Sequence, residues 1–435
     1  MRTSSIRLGG LLLSALASVE VAARPLNAQE ATPASIPRAL TLEQARDLAR
    51  RVAPELAAAR EAVTAAKARE RQAGAMPNPV AAYSREQTSG DGITNAQNIA
   101  SVEQRIEIGG QRPARRAAAA MQSAAAAARA EVASARLDDD VARAYAFAVV
   151  AERRLVTVER AAGVFAKATQ VGRARLASGD ISGYENRRLT LEATRYAARR
   201  AEAVAARRSA RTALGLLLSG GGGAPLPDDV TLVDSTAAAP PSVPLDSLVA
   251  LALLRQAELR ALGLDVRAAA AEADLARRER MPTPALTAGF KNERVGVDEE
   301  SSSGFVAGVS IPLPIWDRRA GAVEAAAAES RRRVAEVEVA RRRTVREVTE
   351  AYVAQQALAE QLQLLQATLG EQAAQALRSA EVSYAEGELS LVAWLDAVRA
   401  YQDAELTYTG LLADYMTSRA ALERAVGVSL RERAR

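Results

Sequence analysis

The chain has 435 residues and contains neither cysteine nor histidine, which excludes disulfides, zinc sites built on those residues, and Ser-His-Asp catalysis. Hydrophobic residues make up 49% of the sequence, as in a folded protein, and abundant alanine and arginine favour helices. The formal net charge is +5, but basic and aromatic residues do not interleave as in nucleic-acid platforms, so no nucleic-acid partner is expected.

Residues 1–28 are predicted to be a cleaved signal peptide. Arg2 and Arg7 supply the charged start, an apolar core follows at 8–19, and small residues near Ala23 and Ala28 offer cleavage sites. This core is too short to cross a bilayer as a helix, and no later stretch approaches about 18 uncharged apolar residues. The sequence therefore predicts an exported protein without a transmembrane helix.

The most informative feature is an internal repeat. Met-Pro-Asn-Pro at 76–79 returns as Met-Pro-Thr-Pro at 281–284, and the turn at 176–182 returns at 384–390. Ala-Leu-Gly at 213–215 is matched with Ala-Val-Gly at 425–427. Solenoid units repeat every 20–50 residues or so, so this much longer spacing indicates a duplicated half-protein. The predicted boundaries are a first repeat at 40–219, a linker at 220–243 and a second repeat at 244–430.

Each repeat is predicted to open with a helix that its Met-Pro-x-Pro motif ends, at about Gly74 and about Glu279. Thr41, with Gln44 three residues later, has the pattern of a capping box at the start of the first helix.

Two strands are predicted after the first helix of each repeat. In the second repeat Leu286, Ala288 and Phe290 alternate with polar or small residues, and 305–311 alternates in the same way; the first-repeat counterparts are 80–86 and 99–108. The pattern fits a soluble hairpin packed on helices, and it also fits strands of a transmembrane barrel.

Long helices are predicted next, because no proline lies between Pro113 and Pro225 or after Pro314. A helix from about Arg115 to Ala177 would be about 95 Å long. Apolar residues follow a heptad pattern that predicts coiled-coil packing; they are Leu137, Val141, Ala144, Ala148, Ala151, Leu155, Val158, Ala162 and Phe165, then Val348, Ala351, Leu358, Leu362, Leu365 and Leu369. Gln355 is the polar exception in the second set.

Glycine turns are predicted at the end of the long helices, at Gly179 and Gly387, with Asp180 and Glu388 capping the helices that return. On the second return helix, Trp394, Tyr401, Tyr408 and Tyr415 stand seven residues apart. This spacing favours a packing seam between helices; a ligand-contacting ladder inside a tube is the alternative.

These elements, in this order, resemble the TolC-like outer-membrane efflux proteins and, within them, the branch associated with heavy-metal resistance. The resemblance extends over about residues 40–430. It rests on Leu-Thr-Leu-Glu-Gln-Ala at 40–45, Met-Pro-Asn-Pro at 76–79, Glu-Gln-Arg-Ile-Glu-Ile-Gly-Gly-Gln-Arg at 103–112, Val-Ser-Ile-Pro-Leu-Pro-Ile-Trp-Asp-Arg-Arg-Ala-Gly at 309–321 and Gly-Glu-Leu-Ser-Leu-Val-Ala-Trp-Leu-Asp-Ala at 387–397.

The resemblance implies a mainly α fold with a small β part. In a homotrimer, each subunit would give four strands to a transmembrane β-barrel and helices to a long coiled-coil α-barrel in the periplasm. The implied partners are a periplasmic adaptor and an inner-membrane proton-driven pump of the resistance-nodulation-division type. Independently, two strands per repeat cannot close a barrel, and open strand edges are untenable in lipid, so hairpins that span a membrane would have to pair between subunits.

The resemblance also implies site residues. The adaptor would dock at the turns, on Ala177, Ser178, Gly179, Ala385, Glu386 and Gly387. Asp396 and Glu185, at matching places after the turns, would constrict the closed pore, with Arg188 and Arg399 as counter-charges; a third common acidic place holds Ala393. An ordinary helix-surface charge is the alternative for both carboxylates.

Taken with this resemblance, the sequence predicts a passive export duct without catalysis or a cofactor, and the resemblance implies heavy-metal cations as its cargo. A duct should bind its cargo weakly, in keeping with the lack of histidine and cysteine. The same duct could serve multidrug efflux or type I secretion, and an exported coiled-coil structural rod is a remote alternative. The expected location is the outer membrane, with a long periplasmic extension.

Overall fold

The computed structural model describes residues 36–90, 93–220, 225–233, 239–295, 300–369 and 371–428; the predicted signal peptide and the end of the second repeat lie outside these ranges. In chain order the elements are β1 (Ala39–Leu40), α1 (Leu42–Val52), α2 (Pro54–Ala73), β2 (Val80–Gly90), β3 (Ile93–Arg105), α3 (Gln111–Ser178), α4 (Gly183–Leu218), β4 (Thr231–Leu232), α5 (Leu245–Arg255), α6 (Ala257–Arg278), β5 (Ala285–Val295), β6 (Glu300–Ser310), α7 (Ala320–Leu369), α8 (Glu371–Glu386) and α9 (Leu391–Val426). Among the described residues, no helix combines the length and apolar character needed to span a membrane.

The opening helix of each repeat is broken in two, where the sequence predicted one continuous helix. In the first repeat the break falls at Ala53, with φ −62° and ψ 120°, because Pro54 lacks an N–H and disfavours helical geometry in the preceding residue. In the second repeat Gln256 adopts nearly the same angles without a proline. Its side chain instead accepts a hydrogen bond from the buried Thr344 hydroxyl on α7. The predicted capping box at Thr41 is confirmed.

The two hairpins join in one antiparallel sheet with the order β2-β3-β5-β6. The expectation that the hairpins pair only between subunits is therefore wrong, since β3 pairs with β5 from Ala96↔Arg294 to Arg105↔Ala285. The helices explain this pairing, because β3 leads into α3, α6 leads into β5, and α3 packs along α6. The outer edges of β2 and β6 have no strand partner in the described part of the chain.

One face of this sheet is apolar. Residues directly opposite in neighbouring strands share a face, so the register assembles rows of outward side chains across all four strands. These rows are Ala81–Val102–Ala288–Ala307 and Tyr83–Ala100–Phe290–Phe305, with Gln104–Leu286–Val309 beside them. Phe290 and Phe305 meet edge-to-face at 6.2 Å, yet they are 51% and 91% exposed. The first hairpin is longer at its turn than predicted, and β3 ends at Arg105 rather than Ile108.

The long helix α3 runs 68 residues, which corresponds to about 100 Å, and confirms the prediction for 115–177. Near the sheet, the helix neighbours follow the strand order as α2, α3, α6 and α7. Farther away, α4 replaces α2 beside α3, and α9 replaces α6 between α3 and α7. One edge of the subunit is therefore formed by α2 and α4 and the other by α7.

The heptad stripe is only part of the buried surface. Of the predicted positions on α3, five are fully buried and four are half-buried. Tyr145 and Val149, one position beyond the stripe, are also buried because α3 packs on neighbours at both sides. On α7, Val348, Leu362 and the polar Gln355 are buried. The side chain of Leu369 is not among those that the structure describes.

The aromatic residues form a packed cluster among α3, α4, α8 and α9. Phe165 stacks on Tyr196 at 4.4 Å, Tyr384 stacks on Trp394 at 4.8 Å, and Phe165 meets Trp394 edge-on at 5.4 Å. Trp394, Tyr401 and Tyr415 are buried, so the packing-seam prediction is confirmed for them. Burial raises the pKa of the hydroxyls of Tyr196, Tyr384 and Tyr401.

The segment predicted as a linker at 220–243 contains structure that the sequence did not indicate. Its strand β4 pairs in parallel with β1. The buried Tyr145 hydroxyl on α3 lies 2.8 Å from the carbonyl oxygens of both Leu40 and Val233. This contact ties the short sheet to the long helix.

The return helices show which residues of the two repeats occupy equivalent positions. Helices α4 and α9 both have 36 residues, so Leu218 corresponds to Val426. The predicted match of Gly215 with Gly427 is wrong: Gly215 lies inside α4, while Gly427 ends α9 with φ +79°. Gly427 must lack a side chain, because a Cβ there would come within 2.9 Å of the Gln256 backbone at the helix break.

Candidate functional site

The two glycine turns have the same geometry. Gly179 has φ +84° and Gly387 has φ +83°, a region that favours glycine. At the first turn the Asp180 N–H donates to the Arg175 carbonyl at 2.8 Å, and at the second the Glu388 N–H donates to the Ser383 carbonyl at 2.8 Å. Both helices thus end in the six-residue closure typical of glycine C-caps.

The two turns lie side by side. The Arg175 guanidinium on α3 donates to the Tyr384 carbonyl at 3.4 Å and lies over the Tyr384 ring. A Cβ on Gly387 would lie 3.4 Å from the same guanidinium. All six residues predicted to dock an adaptor are exposed in this pair of turns: Ala177, Ser178, Gly179, Ala385, Glu386 and Gly387.

The caps of the return helices differ from the prediction that Asp180 and Glu388 supply them. Ser182 is the N-cap of α4 and Ser390 is the N-cap of α9. The Asp180 carboxylate instead accepts a 2.6 Å hydrogen bond from the Ser178 hydroxyl within the turn. Hydroxyl groups next to the first helical residue reach the free N–H groups, whereas the acidic residues are still inside the preceding turn.

Glu185 is held by this cap. Its carboxylate accepts from the Ser182 N–H at 2.9 Å, which completes a capping box. By the equal lengths of α4 and α9, Glu185 corresponds to Ala393 and Arg188 corresponds to Asp396, so Glu185 and Asp396 do not occupy matching places. Arg188 forms no ion pair with any described residue.

Arg399 joins the two return helices. Its guanidinium on α9 is 2.6 Å from the carboxylate of Glu192 on α4, and Glu192 also contacts Arg195 at 3.1 Å. Asp396 is a weaker partner, at 3.7 Å from Arg399 and with 66% of its side chain exposed. The structure therefore brings Arg399 and Asp396 together, as predicted for the pair, but the main partner of Arg399 is Glu192.

Glu192 was missed by the sequence reasoning. It is 5% exposed and lies on the same helix face as the buried Leu189, Tyr196 and Ala203. The signal was present: an acidic residue at a core position of a heptad stripe needs a basic partner on a facing helix. Among the described residues, no group of three or more acidic side chains is arranged to hold a metal ion.

Comparison with solved structures identifies the fold. The fold matches CusC with a TM-score of 0.72 and 19% identity, covering 89% of this chain and 92% of that one. It also matches the CmeC outer membrane channel of Campylobacter jejuni with a TM-score of 0.73 and 17% identity, covering 89% and 85% of the two chains. The fold is thus that of the TolC-like outer-membrane channels.

Sequence comparison adds a family profile and a relative of known role. The profile described as "Outer membrane efflux protein" matches residues 248–428, most of the second repeat. The chain is 26% identical over 390 residues to the cobalt-zinc-cadmium resistance protein CzcC of Cupriavidus metallidurans, covering 89% of this chain and 90% of that protein. The chain is therefore similar to outer membrane efflux proteins in its second repeat and to CzcC over most of its length.

Proposed function

We propose that this chain is a subunit of an outer-membrane efflux channel that exports heavy-metal cations. The observation that carries the proposal is the similarity to CzcC, a cobalt-zinc-cadmium resistance protein, because it extends over 89% of the chain and so includes both repeats. In this reading the duct is passive, and the inner-membrane pump selects the cargo. Multidrug efflux or type I secretion through the same duct is the alternative, because a channel fold alone does not choose the cargo.

The working unit of the proposal is a homotrimer. The open edges of β2 and β6 and the apolar outer face of the sheet support it, because unpaired backbone groups are strongly disfavoured in lipid. Pairing β6 of one subunit with β2 of the next would close a barrel from three four-stranded sheets. The side-by-side glycine turns, exposed at the far end of the helices, would receive a periplasmic adaptor, and the adaptor would connect the duct to a resistance-nodulation-division pump. A cleaved signal peptide would direct export.

The cargo is tested by deleting the gene and measuring growth on cobalt, zinc, cadmium, copper and a panel of drugs. Sensitivity to divalent metals, restored by the wild-type chain, is the expected result. Drug sensitivity without metal sensitivity would assign the duct to multidrug efflux instead.

The constriction is a separate part of the proposal. Three copies of Asp396 around a trimer axis would form a ring of like charges that attracts cations. Asp396→Asn should weaken the block of single-channel current by multivalent cations, and Glu185→Gln is the matched comparison because that carboxylate is engaged in a helix cap. An unchanged cation block in Asp396→Asn would make Asp396 an ordinary surface charge.

A further inference from the structure

An exposed apolar segment continues the outer face of the sheet toward the helices. Residues 311–319 follow β6, and Ile311 stands two positions after Val309, at strand spacing. Ile311, Leu313 and Ile315 are more than half exposed, and Trp316 is 93% exposed. A tryptophan at this level, where the apolar face ends and the helices begin, has the position of an interfacial anchor.

A cavity of about 450 Å³, large enough for a small polar group, opens beside this segment. We call it the junction pocket. It lies where the helix ends at 279–283 meet the chain at 312–319, with the start of α3 at its floor. Four arginines and three carboxylates line it, which leaves a net charge of +1: Arg115, Arg280, Arg318, Arg319, Glu107, Glu279 and Asp317.

Two of these arginines already have carboxylate partners within the chain. The Arg115 guanidinium binds both carboxylate oxygens of Glu107, at 2.7 and 3.2 Å. Arg319 pairs with Glu279. Arg280 and Arg318, by contrast, are exposed and form no ion pair with any residue in the described ranges. The third carboxylate, Asp317, accepts a hydrogen bond from the Arg319 N–H at 2.8 Å. The pocket therefore offers two guanidinium groups, and an excess of one positive charge, to an anion from outside the chain.

We propose that the junction pocket binds the phosphate of a phospholipid headgroup, with Arg280 and Arg318 as its partners and with Leu313 and Trp316 against the acyl chains. The inference rests on the proposed function, since it requires the sheet to lie in a membrane. Guanidinium groups bind phosphate oxygens in a planar, often bidentate geometry. A free phosphate ion would use the same arginines, but it would not cover the adjoining apolar segment.

The first test measures lipid binding by the full-length protein in detergent, with phosphatidylglycerol as the probe. Each basic residue near an anionic surface contributes about 1 kcal/mol, so Arg280→Gln with Arg318→Gln should weaken binding about 30-fold, or about 2 kcal/mol. Arg331→Gln with Arg342→Gln, two exposed arginines on α7, is the matched control and should bind as the wild type does. Equal binding by both double variants, or displacement of the lipid by inorganic phosphate at similar concentration, would overturn the proposal.

The second test uses the two tryptophans of the chain. In phosphatidylglycerol vesicles, a quencher attached near the headgroup should quench Trp316 strongly, whereas Trp394 is 2% exposed and should be spared. Trp316→Phe should therefore remove most of the quenching. Quenching that persists in Trp316→Phe, or a wild-type protein that shows none, would contradict lipid contact at this segment.

Conductance of the same samples across planar bilayers distinguishes failure of the lipid site from failure of the membrane-channel assignment. Protein that inserts and conducts but does not select phosphatidylglycerol would overturn the junction pocket alone. Protein that neither inserts nor conducts would overturn the membrane-channel assignment and, with it, the lipid site.

Discussion

The return helices α4 and α9 share a backbone plan but differ in the charges that they carry. Both have 36 residues, and both begin at a serine N-cap after a left-handed glycine. Yet Glu192 of α4 corresponds to Ala400 of α9, and Arg399 of α9 corresponds to Leu191 of α4. Duplication thus kept two similar helices, and divergence placed an acid on one and a base on the other, where they now form an ion pair.

The hairpins differ in a comparable way. Counted from the Met-Pro-x-Pro motifs, Phe290 corresponds to Arg85, so the second hairpin is the more apolar one. The register nevertheless aligns Phe290 with Ala100 and, through it, with Tyr83. The stagger of the strands places Arg85 one row farther out, beside Asn98 and Asn292, at the polar end of the sheet.

The largest expected effect comes from breaking the apolar face of the second hairpin. Phe290→Arg and Val309→Arg should each cost about 2–4 kcal/mol if these side chains face the middle of the bilayer. The double variant should lose heat-resistant oligomer from outer-membrane fractions. Thr287→Arg, on the opposite face of β5, is the control and should retain it. Normal oligomer yield from the double variant would contradict the membrane assignment of this face.

The buried ion pair between the return helices should give the next largest effect. Arg399→Ala leaves the buried Glu192 with Arg195 as its remaining partner, so a loss of about 1–3 kcal/mol in unfolding free energy is expected. Asp396→Ala removes the longer, exposed contact and should change stability by less than about 0.5 kcal/mol. A double-mutant cycle of Glu192→Ala and Arg399→Ala measures the coupling, and additivity of the two changes would mean that the pair is not formed.

The glycine turns should respond unequally to a branched side chain. Valine at φ near +84° costs about 1–2 kcal/mol of backbone strain at either turn. A Cβ at Gly387 would lie 3.4 Å from the Arg175 guanidinium, which links the two turns, whereas a Cβ at Gly179 meets open space, so Gly387→Val should be the more disruptive. Crosslinking to the adaptor is the measurement. Gly163→Ala, inside α3 with open space around it, is the matched control, and undiminished crosslinking with both turns altered would remove the turns from the docking surface.

The smallest change in unfolding free energy is expected at the helix caps. Ser182→Ala removes a reciprocal capping box, while Ser390→Ala removes a single hydrogen bond to the Ala393 N–H. Both should lower the unfolding free energy by about 1 kcal/mol, with Ser182→Ala the larger. Hydrogen exchange at the first turn of each helix would measure the two effects separately. Equal exchange in the two variants would show that the hydrogen bond from the Ser182 N–H to Glu185 adds no stability.

The sequence by itself determined the elements that depend on local chemistry. The duplication, the positions of the long helices, the glycine turns and the alternating strands could all be predicted, because proline, glycine and hydrophobic period act within a few residues. The break at Ala53 also had a local cause in Pro54, although it was not predicted. The serine caps at 182 and 390 were likewise visible in the sequence but were assigned to the acidic residues two positions earlier.

Only the tertiary structure decided how distant elements meet. The pairing of β3 with β5 follows from the packing of α3 on α6, and the break at Gln256 follows from Thr344 on another helix. The partner of Arg399 is Glu192, which lies 207 residues away along the chain. A sequence pattern records which face of a helix is apolar, but the choice between Asp396 and Glu192 as a partner depends on distance and burial across two packed helices.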